Sequence, residues 1–247
     1  MSRYFDPAES ELMDRPQPVS EELERHLENL EEINRATGSH RLLRRFLNRW
    51  WNPDRCYRVL DLCAGGGDLP REMVRQARAR GITARIDAVD ANESTLEIAR
   101  RKSESYPEIH FVRGDALRYE PGETFDLVHC SLALHHFSDE DAVRLLKRCS
   151  EFSTRWVLVA DLEGHPLTTA AVWMLTSLFC RDAMAVHDGR LSARRAFSWW
   201  EMEELAEAAG WQNFGHARCL VCRQAIWMEN RDFAEIPLDP VSMPSLA

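Results

Sequence analysis

The sequence predicts an α/β chain with a doubly wound, mainly parallel sheet, an antiparallel C-terminal hairpin and a helical N-terminal extension. Three observations predict it. Short apolar runs alternate with helical stretches for about a hundred residues after Pro53, and strands alternating with helices pair in parallel through right-handed crossovers. The first such run, Val59 to Leu62, leads straight into Gly65-Gly66-Gly67. Acids then close one strand after another, at Asp61, Asp90, Asp115 and Asp161, where doubly wound sheets hold their ligands.

Residues 1–19 contain three prolines and no periodicity, and read as an arm. Ser20 is a helix N-cap followed by acids, with Leu23, Leu27, Leu30 and Ile33 at helical spacing and Gly38 as the stop. A second helix, SHRLLRRFLNRWW, repeats the pattern with Leu42, Leu43, Phe46, Leu47 and Trp50. The alternation follows: strand YRVLDLC, a helix from about Leu69 to Arg80, strand ARIDAVD, helix ESTLEIARRKSES, strand EIHFVRGD, a strand within PGETFDLVHCS, helix SDEDAVRLLKRCSEF and strand RWVLVADL. Beyond Asp161 come an apolar helix from Pro166 to about Cys180, a charged loop VHDGRLSARRAF, a short helix ended by Gly210, and a hairpin around HARCLVCRQAIWM. The expected division is an extension or lid over 1–52, the main domain over 53–230 with a substrate-lid insertion at 162–200, and a loose tail over 231–247.

At 247 residues the chain suits one large α/β domain. A net charge of -9 and a pI near 5.5 argue against nucleic acid and for a small-molecule substrate. Seven cysteines at irregular spacing do not form a disulfide framework and suit a reducing compartment, so a cytoplasmic protein is expected. Cys219 and Cys222 form a lone CxxC within a strand pair, where a three-residue offset points the thiols to opposite faces, and no second CxxC or CxxH accompanies them. The acidic start, MSRYFDPAESELMD, is neither a signal nor a transit peptide. The stretch from Pro166 falls short of the ~20 residues a membrane span needs.

The glycine loop departs from a dinucleotide fingerprint. Its glycines are contiguous, Leu69-Pro70 stand where the third fingerprint glycine belongs, and Asp68 sits where a helix N-terminus would meet phosphate. A ligand with a cationic or zwitterionic head suits it better than a pyrophosphate.

In order, VLDLCAGGGD, AVDANESTLEIAR, FVRGDA and FDLVHCSLALHHFSDED resemble the motif series of class I S-adenosylmethionine-dependent methyltransferases, over roughly residues 57–161. The resemblance implies a Rossmann-like fold and S-adenosyl-L-methionine as cofactor. It implies Asp61, Ala64, Gly65, Gly66 and Gly67 around the methionyl part, and Asp90, with Ala91 beside it, on the ribose hydroxyls. Asp115 would accept the adenine amino group, the Ala116 amide would face a ring nitrogen, and Ser131 would sit beside the sulfonium. Cys63 stands where the family has its first loop glycine.

Methyl transfer is an in-line displacement that needs an aligned nucleophile and, for a hydroxyl, a base. His135 and His136 follow the fourth strand, and Asp161 ends the next. His135 is the expected base and Asp161 its orienter. His136 is the weaker candidate, since adjacent residues do not both face a site well. Packing, capping or pocket-shaping roles are the alternatives. The segments VADLEGHPLTTAAVW and VHDGRLSARRAFSWWEMEELAEAAGW resemble a bacterial subgroup related to ubiquinone/menaquinone biosynthesis and polyketide-associated methyltransferases. There His187, Arg190 and Arg194, with Asp188, would recognise a polar or anionic substrate group or form a solvated loop. The expected activity is methylation of a small molecule, O-directed onto a phenolic or enolic hydroxyl of a polyketide-, quinone- or aromatic-type acceptor, without a metal. C-methylation of an activated ring carbon, a nicotinamide-dependent oxidoreductase and a catalytically silent S-adenosylmethionine-binding partner are the alternatives, and the oligomeric state stays open.

Overall fold

The computed structural model describes residues 3–179, 182–219 and 222–230. Two N-terminal helices, α1 (Glu21–Ala36) and α2 (Ser39–Trp50), precede β1 (Cys56–Leu62), α3 (Asp68–Ala79), β2 (Thr83–Asp90), α4 (Glu93–Lys102) and β3 (Ile109–Arg113). There follow β4 (Phe125–Ser131), a 3-10 turn (Leu134–His136), α5 (Asp139–Phe152), β5 (Ser153–Leu162), α6 (Pro166–Phe179), α7 (Ala183–Arg195), α8 (Trp199–Ala208), β6 (Gly215–Cys219) and β7 (Arg223–Glu229). The strands form one sheet in the order β3-β2-β1-β4-β5-β7-β6. Strands β3 to β5 in that order pair in parallel, whereas β7 runs antiparallel between β5 and β6. The strand order reverses between β1 and β4, so the C-terminal ends of these two strands open the crevice where such sheets bind ligands.

Two apolar layers cover the sheet. On one face Leu60, Leu62, Val128 and Cys130 pack with Leu145, Leu146 and Cys149 of α5 and Met202 and Leu205 of α8. On the other, Val59, Ile86 and Leu127 meet Leu43 and Leu47 of α2 and Met73 and Val74 of α3. Trp50 and Trp51 belong to this second layer. Trp51 stacks on Tyr57 at 5.3 Å and Trp50 on Trp156 at 5.5 Å, so the apolar stripe of α2 is core. The α1 stripe divides: Leu23 and Leu27 pack with Ile98 of α4, and Ile33 is left exposed.

Ser20 caps α1 by accepting the Leu23 amide, as its position before the acids predicts. The stretch read as a charged loop, VHDGRLSARRAF, is instead mostly α7, capped by the Asp182 carboxylate accepting the Met184 amide. Its apolar residues make no clean stripe and Gly189 interrupts them, because the helix packs beside α6 and the N-terminal arm with Asp188 and Ser192 at the cavity. Cys219 ends β6 and Cys222 lies in the turn before β7 at φ 61°, so the pair does not share the strand assumed for it. The tail over 231–247 and Cys180 lie outside the described residues. Among the described residues no helix is long and apolar enough to cross a membrane.

A polar clamp ties α2 to α3. The buried His40 places Nε2 3.0 Å from Asp68 and Nδ1 3.6 Å from Glu72. Burial pushes Glu72 up, but His40, Arg75 and Gln76 overcome it and hold the carboxyl at about 2. A carboxylate with a depressed folded-state pKa stabilises the fold above its unfolded pKa of ~4.5 and loses that contribution as pH falls toward the folded value. Glu72→Gln is therefore expected to cost on the order of 2 kcal/mol at pH 7. The difference from wild type should shrink below pH 4 in urea melts, and a gap constant from pH 7 to pH 3 would contradict it.

Candidate functional site

A cavity of about 840 Å³ opens where β1, β2 and β4 end, bounded by α1 on one side and by α6 and α7 on the other. Its floor is the loop after β1. Cys63 (φ 59°), Gly65 (φ 52°) and Gly67 (φ 73°) all lie in the left-handed region, which is costly for any residue with a Cβ. A Cβ on Gly65 would meet nothing within 4 Å, and one on Gly66 would only touch Leu27 of α1 at 3.5 Å. On Gly67 it would strike the Phe111 ring at 2.8 Å. Gly65 and Gly66 thus present bare backbone to the cavity, whereas Gly67 is absent from its lining and is required by packing beneath.

The acids at the strand ends differ in placement. Asp90 lines the cavity and accepts the Gly65 amide at 2.8 Å and the Asn92 amide at 2.9 Å, so it shapes the loop of the neighbouring strand. Burial raises its pKa against those two donors. Asp61 is buried at the end of β1 with the Nδ1 of His129 at 2.5 Å. Burial raises it too, against the pull of His129. His129 is directly opposite Asp61 in the β1–β4 register. A polar residue inside the apolar strand FDLVHCS was the signal for this partner, and sequence reasoning did not use it. Ala64, Ala91 and Ser131 line the cavity as expected. Asp115 and Ala116 do not: Asp115 is exposed, with Oδ1 accepting the Leu117 amide, and Ala116 is buried in the core. Arg113, two residues earlier, is the β3 residue that reaches the cavity.

The opposite wall is built at the end of β4. Leu132 turns the chain at φ 55° into the 3-10 turn that carries both histidines. The His135 ring is 3% exposed, with Nδ1 2.7 Å from Asp161 Oδ1, and its amide donates to Asp161 Oδ2 at 2.9 Å. Its Nε2 is buried without a hydrogen-bond partner among the described residues, 3.5 Å from Glu11 Oε1. Burial works against the ring's charge, but Asp161 and Glu11 prevail and push its pKa up to about 10. His136 also lines the cavity, contrary to the expectation that adjacent residues would not share it, because the tight turn sets the two rings side by side with centroids 4.4 Å apart. Its Nδ1 is 2.9 Å from Asp14 and its Nε2 3.8 Å from Glu11.

Glu11 and Asp14 come from the arm, which no sequence pattern pointed to. The arm lies across the cavity mouth. The Leu12 and Met13 amides donate to Asp188 at 2.7 and 3.1 Å, and Ser192 Oγ donates to Glu11 at 2.5 Å. Burial would raise Glu11, yet the two histidines bring it down to about 2. Of the residues expected to bind substrate, Asp188 lines the cavity, whereas His187, Arg190 and Arg194 are absent from its lining. His187 pairs with Asp188 at 2.8 Å, Arg190 donates to Thr176 Oγ1 at 3.0 Å while lying over the Trp173 ring, and Arg194 pairs with Glu9 at 3.2 Å. In their place α7 offers Ala185, Asp188, Gly189 and Ser192.

Eight carboxylates and two guanidinium groups stand among the described lining residues. Such a cavity favours a cationic or zwitterionic ligand and repels a pyrophosphate. With bare backbone at Gly65 and Gly66 beside the Asp90 carboxylate, these residues fit an amino-acid sulfonium nucleoside.

Comparison with known proteins agrees. Residues 59–154 match the family model described as a methyltransferase domain. The demethylmenaquinone methyltransferase of Bacillus licheniformis is 30% identical over 169 residues, covering 63% of this chain and 70% of that protein. The 2-phytyl-1,4-naphtoquinone methyltransferase of Thermosynechococcus vestitus is 35% identical over 80 residues, but the chain spans only 34% of its length. Among solved structures, a plantazolicin methyltransferase bound to a desmethyl analogue and S-adenosylhomocysteine superposes with a TM-score of 0.62 at 11% identity, covering 84% of this chain and 90% of that one. Human N-acetylserotonin methyltransferase with S-adenosylmethionine gives 0.60 at 19% identity over 83% of this chain, which spans 55% of the human chain. These two show the fold alone. The chain belongs to the class I S-adenosylmethionine-dependent methyltransferases, and within them it is a small-molecule methyltransferase.

The left-handed backbone at Cys63 explains why glycine is the family residue there. Glycine is expected to be tolerated better than alanine at this position, by about 1 kcal/mol, because alanine keeps the steric penalty while losing the sulfur. Thermal melts of Cys63→Gly and Cys63→Ala decide it, and a less stable glycine variant would refute the argument.

Proposed function

We propose that the protein methylates the oxygen of a phenolic or enolic hydroxyl on a polyketide-, quinone- or aromatic-type small molecule. The observation that carries this reading is the buried His135: Nδ1 fixed by Asp161, Nε2 turned to the cavity without a hydrogen bond among the described residues. The quinone-related names of the sequence relatives support the aromatic acceptor class. In this reading the extension 1–52 and the insertion 162–200 cover a domain spanning 53–230.

The cofactor, when bound, supplies a methyl group activated by a positive sulfur. The backbone of Ala64 to Gly66 and the buried Asp61 would hold its amino-acid end, and Asp90 would accept hydrogen bonds from the ribose hydroxyls. The adenine would be held toward β3, where Arg113 lines the cavity and Asp115 follows. Ser131 would stand beside the sulfur. The acceptor enters from the α6–α7 side, where Ala171, Val172, Ala185 and Gly189 leave an apolar, narrow wall.

With Glu11 beside Nε2, the His135 ring is held charged. An acceptor hydroxyl that takes the place of Glu11 leaves the ring with Asp161 alone. Once the Glu11 carboxylate is displaced, Nε2 releases its proton to Glu11 or water, and the neutral ring then takes the hydroxyl proton while Asp161 stabilises the imidazolium that forms and the oxygen is freed as the nucleophile. A ring of raised proton affinity suits hydroxyls as weakly acidic as a phenol, whose pKa is ~10.

His135→Ala and Asp161→Asn are each expected to lower kcat by roughly 100-fold or more, with S-adenosylhomocysteine affinity by calorimetry changed little. Radiolabelled methyl transfer to a panel of phenols and enols reads kcat, and mass spectrometry of the product reads the methylated atom. Near-wild-type turnover of either variant removes His135 from the chemistry, and a product methylated on carbon replaces this reading with ring C-methylation.

A further inference from the structure

We propose that Glu11, His135 and His136 form a binding site for one first-row divalent cation of the Zn(II), Co(II) or Fe(II) kind. The inference goes beyond the proposed function, since a cation on His135 Nε2 would occupy the lone pair which that function gives to the acceptor's proton. The two are alternative states of one ring.

The donor atoms converge. One atom from each of the three residues lies within 4.8 Å of the others, with Glu11 Oε1 3.5 Å from His135 Nε2 and 3.8 Å from His136 Nε2. Donors bound to a metal at about 2.0–2.1 Å in a tetrahedron stand about 3.3 Å apart, and both Glu11 separations lie within about 0.5 Å of that. Two imidazoles and one carboxylate are a donor set for borderline divalent ions, which Mg(II) and Ca(II) do not select.

The surroundings are those of a metal site. Ligating histidines ordinarily donate the distal ring N–H to a carboxylate, which fixes the tautomer and turns the other nitrogen to the metal. Both rings have this arrangement: Asp161 lies 2.7 Å from the Nδ1 of His135, and Asp14 lies 2.9 Å from the Nδ1 of His136. Ser192 Oγ steadies the Glu11 carboxylate in turn. The independent sign is His135 Nε2, a polar atom of a ring 3% exposed that aims at the centre of this set without a hydrogen-bond partner among the described residues. All three residues line the cavity, so the remaining coordination positions face it and are open to water or an acceptor oxygen.

The test is a Co(II) titration of the full-length protein after chelator treatment, followed by visible absorption and calorimetry. One Co(II) per chain with saturable d–d bands is expected. Glu11→Gln and His136→Asn should each weaken binding at least tenfold, and Asp161→Asn, which touches the set only through His135, by roughly 10–100-fold. S-adenosylhomocysteine binding, measured on each variant, shows that it is folded. No saturable band in a protein that binds S-adenosylhomocysteine overturns the site, as does equal Co(II) affinity in wild type and Glu11→Gln. Methyl transfer measured with chelator present reads the proposed function separately, so the failure of either reading leaves the other standing.

Discussion

The buried pair of Asp161 and His135 is the constraint on which the rest of the site depends. Asp161 is 1% exposed, and an ionised carboxylate at that depth is tolerated only when its lone pairs are met. They are met by the His135 ring, the His135 amide and the Leu162 amide, and the ring brings the carboxyl below its usual range although burial pushes the other way. Because two of the three donors belong to His135, satisfying the charge fastens the chain after β4 to the end of β5. Breaking the pair would leave one group without its partner in the core and loosen the turn that carries the two histidines.

The same logic runs outward through the arm. One carboxylate cannot face both the His135 and the His136 ring, and Glu11 and Asp14 supply two more from a segment without regular structure. The arm is held in turn by Asp188 and Ser192 of α7, and Asn92 Nδ2 at the start of α4 donates to the Met13 carbonyl. Cover, wall and floor are therefore joined by polar contacts, whereas α2 is fastened to the sheet by apolar packing as well as by the His40 clamp. Polar contacts exchange with water and ligand at low cost, which sets the arm apart from the apolar layers that hold the sheet.

Legibility in the sequence follows the same divide. The parallel sheet was readable because β1, β4 and β5 are mostly buried and, with β2, present short apolar stretches that alternate with helices. Asp90, the glycine loop, His135 and Asp161 were readable because they sit at strand ends, which topology alone brings together. Glu11 and Asp14 were not, since an aperiodic arm gives no indication of where it lies. Helix α7 was missed because a segment packed between a cavity, an arm and another helix has no single apolar face for periodicity to reveal. Its charged residues misled for the same reason: Arg190 and Arg194 are spent on Thr176, Trp173 and Glu9, and the cavity instead receives the small and acidic side of the helix.

That reversal bears on the acceptor. An anionic acceptor would need a guanidinium or ammonium group on the α6–α7 wall, and the two arginines of the lining stand elsewhere. Arg113 lies at the β3 edge, and Arg223 donates to Asn34 and Thr37 of the N-terminal helices. What remains on the acceptor side is apolar, hydroxyl-bearing or acidic: Ala171, Val172, Thr176, Gly189, Ser192 and Asp188. A charged oxygen on this wall would meet repulsion from Asp188 and Glu11 and would have to shed its water before it reached the imidazole side of the cavity. A neutral hydroxyl that loses its proton only at His135 avoids both, since its negative charge then develops beside the imidazolium it has just created. The electrostatics of the wall and the position of the buried His135 Nε2 support the proposed kind of acceptor, one whose hydroxyl is uncharged until it reacts.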